Sequence, residues 1–436
     1  MLYDPQVFNI YEGLNREDFI IALYYMEAES RDLLLRSAAI AVEQSTGTWT
    51  AVPEETWDVK EQSLARVIGV HEVPDYEDRV PPDVKTRKFI IQIAYPTINI
   101  NGQIPELLTT LFGNVSMIGR FKLMDVQFPK SFVEHFPGPR FGIEGVRKLL
   151  DVHGRPLLVG MYKPCVGAPP ATLGKMFFEM ALGGVDVVKD DELLADPTFC
   201  SVEARLEASL KAKERAKKET GREVLYVVNI TDSPNKMYKK ARKVIEMGGN
   251  GLMVNTFTVG YAALADLASD PAITVPIMTH PAFAGSYYEA PLNGVASNLV
   301  LGKLPRLAGS DMIIYPSPYG KVPLVRERAV RVAHELTCPF YHLKRTFPGP
   351  AAGMHPGLAP QMMEDFGVDV IFGAGGGIHG HPQGTIAGCR AFHQAFEAVM
   401  AGIPLREAAE KHKELKAALD CWGVYGEPGH EYALAI

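Results

Sequence analysis

The sequence predicts an α/β protein in which a smaller α+β domain at residues 1–145 precedes a (β/α)8 barrel with C-terminal helices at residues 146–436. A chain of 436 residues exceeds the usual size of a single hydrophobic core, so two domains are expected. From about residue 155, short apolar runs alternate with segments of helical spacing, and the first 150 residues lack this alternation. Such alternation predicts parallel strands joined by crossover helices.

The barrel prediction depends on eight apolar runs, and these are RPLLVGMY, VDVVKD, VLYVVNIT, GLMVN, ITVPIMTH, DMIIYPS, CPFYHLKR and DVIFGAGGG. Segments with helical spacing, such as KMFFEMALGG and AFHQAFEAVMAG, lie between and after them. Eight strand–helix units favour a closed barrel, and a doubly wound open sheet is the alternative.

The N-terminal domain has four strand-like runs, FIIALYYMEAE, SLARVIGVHEV, KFIIQIAYP and FKLMDVQFP. Helices are expected near residues 30–43 and 104–113. This order predicts an antiparallel sheet with helices on one face, a ferredoxin-like arrangement. The domain boundary is expected within FPGPRFGIEGVRKLLDVHGRP, where proline and glycine cluster.

Composition excludes several classes of protein. The net charge of -7 argues against a nucleic-acid partner, and the basic stretch KAKERAKKETGR is interpreted as a solvated helix face. The five cysteines are scattered without metal or redox spacing, which indicates reduced thiols in a cytoplasmic protein. No signal peptide and no apolar run long enough for a membrane helix is found in the sequence, so no membrane partner is expected.

Polar residues cluster where the predicted barrel strands end, which is the face that carries the active site in (β/α)8 enzymes. They are Lys163, Lys189, Asp190, Asp191, Glu192, Asn229, Thr231, Asn255 and His280, with Lys321 in the loop after the sixth strand. Neighbouring carboxylates repel one another unless a cation lies between them, and oxygen ligands suit Mg²⁺. The alternative is an ion-paired cluster with Lys189.

Two further features of these strand ends have both functional and structural interpretations. Lys163 and Lys189 are candidates for a base or a nucleophile, or for ordinary ion-paired lysines. The run Gly375–Gly376–Gly377 predicts either an anion-binding loop of the kind found after the last barrel strands or a tight turn. The segment GPAAGMHPGL would add a second glycine loop.

With these positions established, the chain resembles ribulose-bisphosphate carboxylase/oxygenase and, more closely, the Rubisco-like proteins. The matching motifs are GGVDVVKDDE, EQSTGTWT, FGNV, KLMDVQFP, GVRKLLDVHGRPLLVGMYKP, KLPRLAGSD and GGGIHGHPQG. The resemblance implies that CO₂ carbamylates Lys189, which then binds Mg²⁺ with Asp191 and Glu192. It implies that Asp190 faces away from the metal.

The same resemblance implies roles for other residues. Lys163 corresponds to a lysine that acts in enolisation and proton transfer, His280 to a substrate contact, and Lys321 to a mobile-loop lysine. The phosphate-binding positions are Thr48, Trp49, Gly353, Gly375 and Gly376. Positions that reach into a partner's site are Glu43, Thr48, Trp49 and Asn114. A homodimer with shared sites is therefore expected as the minimum unit, without a small subunit, and higher oligomers are possible.

Departures from the family pattern bear on the substrate. Cys165 stands in place of a second lysine, and Pro281, Ile314 and Ala351 replace the arginine, histidine and serine that hold the second phosphate of a bisphosphate. A buried dianion without charged donors is prohibitively costly, so true carboxylase activity is not expected. A small substrate with one phosphate is expected.

The enolate-forming reaction that the sequence favours is decarboxylation of the 3-oxo-isoapionate-4-phosphate type. Asn114 stands where related enolases carry a lysine base, and Lys321 is retained where they lack it. The alternative is the 2,3-diketo-5-methylthiopentyl-1-phosphate enolase of methionine salvage, because HPAFAGSYY and YPSPYGKVPL resemble its segments. A 5-methylthioribulose-1-phosphate isomerase and a non-catalytic regulatory protein are further candidates.

Overall fold

The computed structural model describes residues 6–29, 33–47, 50 and 52–427. The chain divides into two compact units. The first comprises residues 1–136 and 284–300, and the second comprises residues 137–283 and 301–436. The first unit therefore takes a short segment from the middle of the sequence range assigned to the predicted barrel.

The first unit is built on a five-stranded mixed sheet. Its strands are β1 (Phe19–Ala28), β2 (Arg66–Glu72), β3 (Arg87–Pro96), β4 (Phe121–Gln127) and β10 (Gly294–Val295). Their order is β10-β4-β1-β3-β2. The four long strands pair antiparallel as predicted, whereas β10 pairs parallel to β4 and was not predicted. Two residues are too few to show the alternation of a strand in the sequence.

The second unit is a closed eight-stranded parallel barrel of order β11-β12-β13-β5-β6-β7-β8-β9, which confirms the predicted fold class. Its strands are β5 (Leu157–Met161), β6 (Val187–Lys189), β7 (Leu225–Asn229), β8 (Gly251–Val254), β9 (Ile277–Thr279), β11 (Met312–Pro316), β12 (Phe347–Ala351) and β13 (Ile371–Ala374). The strands are almost wholly buried because helices cover their outer side.

Helices connect these strands and extend beyond the last one. In the first unit they are α1 (Leu33–Glu43), α2 (Trp57–Ser63), α3 (Ile104–Phe112), α4 (Lys130–Val133) and α11 (Gly285–Tyr288). In the second they are α5 (Gly142–Leu150), α6 (Pro170–Gly183), α7 (Val202–Thr220), α8 (Pro234–Glu246), α9 (Thr256–Val259), α10 (Tyr261–Ser269), α12 (Leu304–Leu307), α13 (Arg326–Thr337), α14 (Ala359–Phe366), α15 (Gly376–His379), α16 (Thr385–Met400), α17 (Leu405–Ala409) and α18 (Lys413–Trp422).

The barrel interior is filled by alternate residues of its strands. Leu157 and Val159, two residues apart on β5, join one buried cluster with Leu225 and Val227 of β7. Residues at i and i+2 of a strand face the same side, so each strand contributes inward side chains in layers. This packed interior leaves the strand ends to carry polar residues.

The predicted seventh strand is wrong. CPFYHLKR forms turns with an isolated bridge between Phe340 and Leu343, and β12 lies in the following segment, FPGPA. Two prolines in five residues argue against a strand because each removes a backbone donor. Pairing with β11 and β13 on either side overrides that local preference.

The basic stretch KAKERAKKETGR is only partly a solvated face. Lys213 is 9% exposed and pairs with Glu223, and Arg222 donates to the buried carboxylate of Asp186 at 2.9 Å. Lys211 remains exposed, beside Glu207. Within the described ranges, no helix is both long and apolar enough to cross a membrane.

Candidate active site

The acidic run identified in the sequence lies at the end of β6, in the second unit. Lys189 is the last residue of that strand and is fully buried, with its Nζ 3.2 Å from Glu192 Oε2 and 2.7 Å from the carbonyl oxygen of Asp190. The side chain of Asp191 is 1% exposed, whereas that of Glu192 is 30% exposed. The ion pair that the sequence offered as an alternative is therefore present when Lys189 carries an unmodified amine.

Lys163 reaches the same cluster from the end of β5. Its Nζ lies 2.8 Å from Asp191 Oδ2 and 2.9 Å from Cys165 Sγ. Burial lowers the pKa of Lys163, but the hydrogen bonds and charges of Asp191 and Cys165 outweigh burial and raise the pKa above its usual value. The lysine side chain is 36% exposed, so it is accessible to a small molecule at the mouth of the barrel.

His280 approaches Glu192 from the end of β9. Its Nδ1 accepts a hydrogen bond from the backbone N–H of Ala282, so Nε2 carries the proton and lies 3.2 Å from Glu192 Oε2. Burial and the nearby charge of Lys189 lower the pKa of His280 to about 3. The imidazole is therefore neutral at pH 7. Burial would raise the pKa of Glu192, but chiefly the charge of Lys189 lowers it to about 2.

Two amide side chains at the intervening strand ends hold the backbone of the acidic run. Asn229, the last residue of β7, donates from Nδ2 to the carbonyl oxygens of Asp191 and Glu192 at 3.1 and 3.2 Å. Asn255, just after β8, donates from Nδ2 to the carbonyl oxygen of Glu192 at 2.9 Å. Five consecutive strands, β5 to β9, thus contribute residues to one polar arc.

The predicted phosphate-binding glycines lie beyond the ends of β12 and β13. A Cβ on Gly375 would lie 3.0 Å from Lys163 Cε and 3.1 Å from its Cγ, so a larger residue there would crowd the lysine side chain. Gly353 has a φ of 81°, and a Cβ there would meet the backbone nitrogen of Lys321 at 3.0 Å. The structure thus brings Lys321 beside Gly353, and Gly375 beside Lys163.

Ile314 and Ala351 stand in place of residues expected to bind a second phosphate, and their side chains form an apolar region. Ile314 and Ala351 are 3% and 2% exposed. A Cβ on Gly373 would lie 3.1 Å from Ala351 Cβ and 3.6 Å from Ile314 Cδ1, so these side chains converge. Pro281 follows His280 and is partly buried. Ile314 and Ala351 belong to the buried cluster inside the barrel, at positions where the resemblance to the Rubisco family implies polar donors.

The predicted site residues of the first unit are brought together only in part. Asn114 Nδ2 donates to Glu43 Oε1 at 3.1 Å, and both side chains are exposed. Thr48 and Trp49 lie outside the described residues. The pairing of Glu43 with Asn114 joins the end of α1 to the residue that follows α3 and Gly113.

The donor set fits a hard divalent cation on its chemistry. Asp191 and Glu192 supply carboxylate oxygens, and a carbamate on buried Lys189 would supply a third anionic oxygen in place of a cation. Without that modification, no group of three His, Cys, Asp or Glu side chains in the described part of the chain is placed to hold a metal. The metal site is therefore conditional on Lys189.

Sequence reasoning missed one residue that the structure places behind this site. Arg205, on α7, is fully buried and pairs with Asp190. Its position four residues after the N-cap Ser201 of a charged helix gave no sign of burial. The apolar Leu206 next to Arg205 is the sequence feature that could have indicated burial, and one apolar neighbour is too little to predict a buried arginine.

Comparison with known proteins agrees with this architecture. The family model described as the ribulose bisphosphate carboxylase large chain, catalytic domain, matches residues 142–422. The corresponding N-terminal domain model matches residues 11–132. Together the two matches span both units of the chain.

Individual relatives carry two kinds of name. A ribulose bisphosphate carboxylase-like protein of Archaeoglobus fulgidus is 47% identical over 412 residues, covering 94% of each chain. A 2,3-diketo-5-methylthiopentyl-1-phosphate enolase of Geobacillus kaustophilus is 42% identical, covering 93% of this chain and 98% of the relative.

A solved structure shares the whole fold. The rubisco-like protein MtnW from Alicyclobacillus acidocaldarius superposes with a TM-score of 0.86 at 41% identity, covering 93% of this chain and 100% of that one. On the family models, the relatives and the barrel with its acidic strand end, the chain belongs to the ribulose bisphosphate carboxylase large-chain family, among its Rubisco-like members.

Proposed function

We propose that this protein is a Mg²⁺-dependent enolase acting on a monophosphorylated diketone of the 2,3-diketo-5-methylthiopentyl-1-phosphate type. The observation that carries the proposal is the apolar region formed by Ile314 and Ala351. A methylthio group is apolar and loses little on burial there, whereas a second phosphate or the hydroxyls of a sugar acid would gain no donor from either side chain.

The enolase replaces the decarboxylase that the sequence favoured. That inference depended mainly on Asn114, and none of the three relatives is named as a decarboxylase. The name of the Geobacillus kaustophilus relative supports the enolase. Because Asn114 stands in place of the lysine base expected at that position, another residue must remove the substrate proton.

Lys189 as a carbamate, Asp191 and Glu192 would hold the Mg²⁺. The bound ion supplies a positive charge that polarises a substrate carbonyl and stabilises the negative charge of the enolate oxygen. Glu192 Oε2 lies 3.2 Å from Nε2 of His280, and burial keeps that imidazole neutral by lowering its pKa. A neutral His280 adds no positive charge beside the proposed metal ligands.

Lys163 is proposed to remove the proton from the carbon beside the diketone as a neutral amine. Beside Asp191 and Cys165 its pKa is raised, and a cation held by Asp191 would repel the ammonium and lower that pKa. The C–H electron pair becomes the new C=C bond, and the adjacent carbonyl oxygen takes the charge. Lys163 Nζ lies 2.8 Å from Asp191 Oδ2, and the lysine side chain is partly exposed at the mouth of the barrel. Gly375 lies against its side chain, so a phosphate held by the glycine backbone would lie close to the reacting carbon.

The backbone N–H groups near Gly353, Gly375 and Gly376 are proposed to bind the single phosphate, together with the ammonium of Lys321. Thr48 and Trp49 are proposed to complete that site. Glu43 and Asn114 are exposed and paired, which suits residues that complete the site of a second copy in a homodimer.

The test offers two substrates in parallel to purified protein with Mg²⁺ and bicarbonate. We expect 2,3-diketo-5-methylthiopentyl 1-phosphate to give the ultraviolet absorbance of an enol, and 3-oxo-isoapionate 4-phosphate to release no CO₂. CO₂ from the second substrate without enol from the first would overturn the proposal in favour of the decarboxylase. Lys163→Met should abolish the enol signal, and Lys175→Met, on the exposed face of α6, should not.

A further inference from the structure

The loop after β6 carries two of the proposed metal ligands, and one guanidinium contacts it at its start, middle and end. Arg205 Nε donates to Asp190 Oδ2 at 2.8 Å, at the start of that loop. Arg205 Nη2 donates to the carbonyl oxygens of Leu194 and Ala195 at 3.2 and 2.7 Å, in its middle. Arg205 Nη1 donates to the carbonyl oxygen of Cys200 at 3.1 Å, at its end.

The same guanidinium joins this loop to the neighbouring strand. Arg205 Nη2 also donates to the carbonyl oxygen of Asn229 at 3.0 Å. The side-chain amide of Asn229 in turn donates to the carbonyl oxygens of Asp191 and Glu192. The loop and the end of β7 are therefore one hydrogen-bonded unit that contains the backbone of both carboxylate residues.

We infer that Arg205 is a positioning residue that sets the place of the Asp191 and Glu192 carboxylates and thereby the affinity of the site for Mg²⁺. This inference rests on the metal site of the proposed function. Mg²⁺ demands near-octahedral geometry, so a small displacement of either carboxylate weakens binding. Groups that orient metal ligands from behind change metal affinity by about 10–100-fold when they are altered.

Only a planar fork with several donors can make these contacts. Arginine has five N–H donors in a fixed geometry. Arg205 contacts one acceptor from Nε, one from Nη1 and three from Nη2, whose two hydrogens are shared among three carbonyl oxygens. The single ammonium of lysine retains the charge opposite Asp190 but cannot reach the start, middle and end of the loop together. Arg205→Lys therefore removes most of the hydrogen bonds to the loop while it retains the positive charge opposite Asp190.

Arg306 provides a matched control in the same unit. It is 1% exposed and donates to the carbonyl oxygens of Glu335, Cys338, Leu343 and Lys344, none of which belongs to the proposed site. Arg306→Lys should lower the melting temperature as Arg205→Lys does. It should leave the affinity for Mg²⁺ unchanged.

The experiment titrates MgCl₂ into the intact protein in bicarbonate buffer and records heat by calorimetry, with melting temperature as a second readout. We expect Arg205→Lys to raise the apparent Kd for Mg²⁺ about 10–100-fold. Asn229→Ser removes the amide donors to Asp191 and Glu192 but leaves the Arg205–Asp190 pair, and it should weaken Mg²⁺ in the same direction. If Arg205→Lys does not fold, this second variant tests the same network at Asn229, the residue that links Arg205 to the backbone of Asp191 and Glu192.

Three outcomes would overturn the inference. If Arg205→Lys, or Asn229→Ser in its place, binds Mg²⁺ within about twofold of the wild type, far less than the loss expected when a ligand-orienting group is altered, the loop is not positioned by this network. If Arg306→Lys loses as much affinity, the effect is general loss of stability. If the wild type itself binds no Mg²⁺ in bicarbonate, the metal site fails and the proposed function fails with it.

Discussion

The carboxylate of Asp190 is ion-paired with the guanidinium of Arg205 at 2.8 Å, and both side chains are completely buried. Asp190 lies between Lys189 and Asp191 in the chain, yet it points away from the Lys189–Glu192 pair, because successive residues of an extended segment face opposite sides. Its other oxygen accepts a hydrogen bond from the Tyr226 hydroxyl at 2.6 Å. Of two consecutive aspartates, one therefore serves the structure and the other faces the site.

Asp190→Asn should lower the free energy of unfolding by about 3–5 kcal/mol, because it leaves the Arg205 charge buried without a counter-charge. Denaturant titration followed by circular dichroism measures this change. Glu207→Gln, in the exposed pair with Lys211, is the control and should cause no measurable change. Equal small effects from both substitutions would contradict the structural role assigned to Asp190.

Lys189 should carry a carbamate when Mg²⁺ is present. Protein incubated with ¹³C-bicarbonate and MgCl₂ should show a carbamate carbon signal by NMR, because Asp191 and Glu192 need a third anionic ligand to hold the ion. Lys189→Met should remove the signal, and Lys163→Met should retain it. Persistence of the signal in Lys189→Met would assign the carbamate to a different lysine.

Ile314→His should impair the reaction of a methylthio substrate by introducing a polar ring into the apolar region. Hydrophobic pockets discriminate by about 1–3 kcal/mol, so kcat/KM should fall about 10–200-fold. Ile314→Leu conserves volume and should change kcat/KM by less than about tenfold. Unchanged kinetics in Ile314→His, with the fold intact, would show that the substrate does not reach this region.

Stability should decline below neutral pH because of buried neutral histidines. Burial lowers the pKa of His393 to about 4, and its Nε2 lies 2.7 Å from the carbonyl oxygen of Gly184. Unfolded histidine has a pKa of about 6.5, so the unfolded chain binds the proton first as pH falls. Stability is therefore complete above about pH 6.5 and falls as pH drops from about 6.5 to about 4, by up to about 3 kcal/mol for this residue.

His393→Gln tests this, since the amide retains a donor for Gly184 and does not titrate. Unfolding free energies measured between pH 7 and pH 5 should decline less steeply in the variant. Burial also lowers the pKa of His379 to about 4, so some decline remains. His153→Gln, at a side chain that is 67% exposed, should leave the slope as in the wild type. If the unfolding free energy depends on pH as steeply in His393→Gln as in the wild type, His393 is not a source of that dependence.

Much of the fold could be predicted from local pattern, and the exceptions have physical causes. Runs such as VLYVVNIT are strands because their β-branched residues suit a buried parallel sheet. FPGPA was missed because its prolines oppose a strand locally, and only the closing of the barrel supplies the neighbours that hold it. The two-residue β10 was missed because it is too short to show a period.

By itself the sequence determined the fold class, the family and the types of residue at the strand ends, because these are written in contiguous letters such as VDVVKDDE. The tertiary structure decided which of those residues meet. Lys163 reaches Asp191 and Cys165, Lys321 lies beside Gly353, and Arg205 holds the loop that carries Asp191 and Glu192. Most of these residues are far apart in the sequence, so whether they meet depends on how the strands and helices close around the barrel.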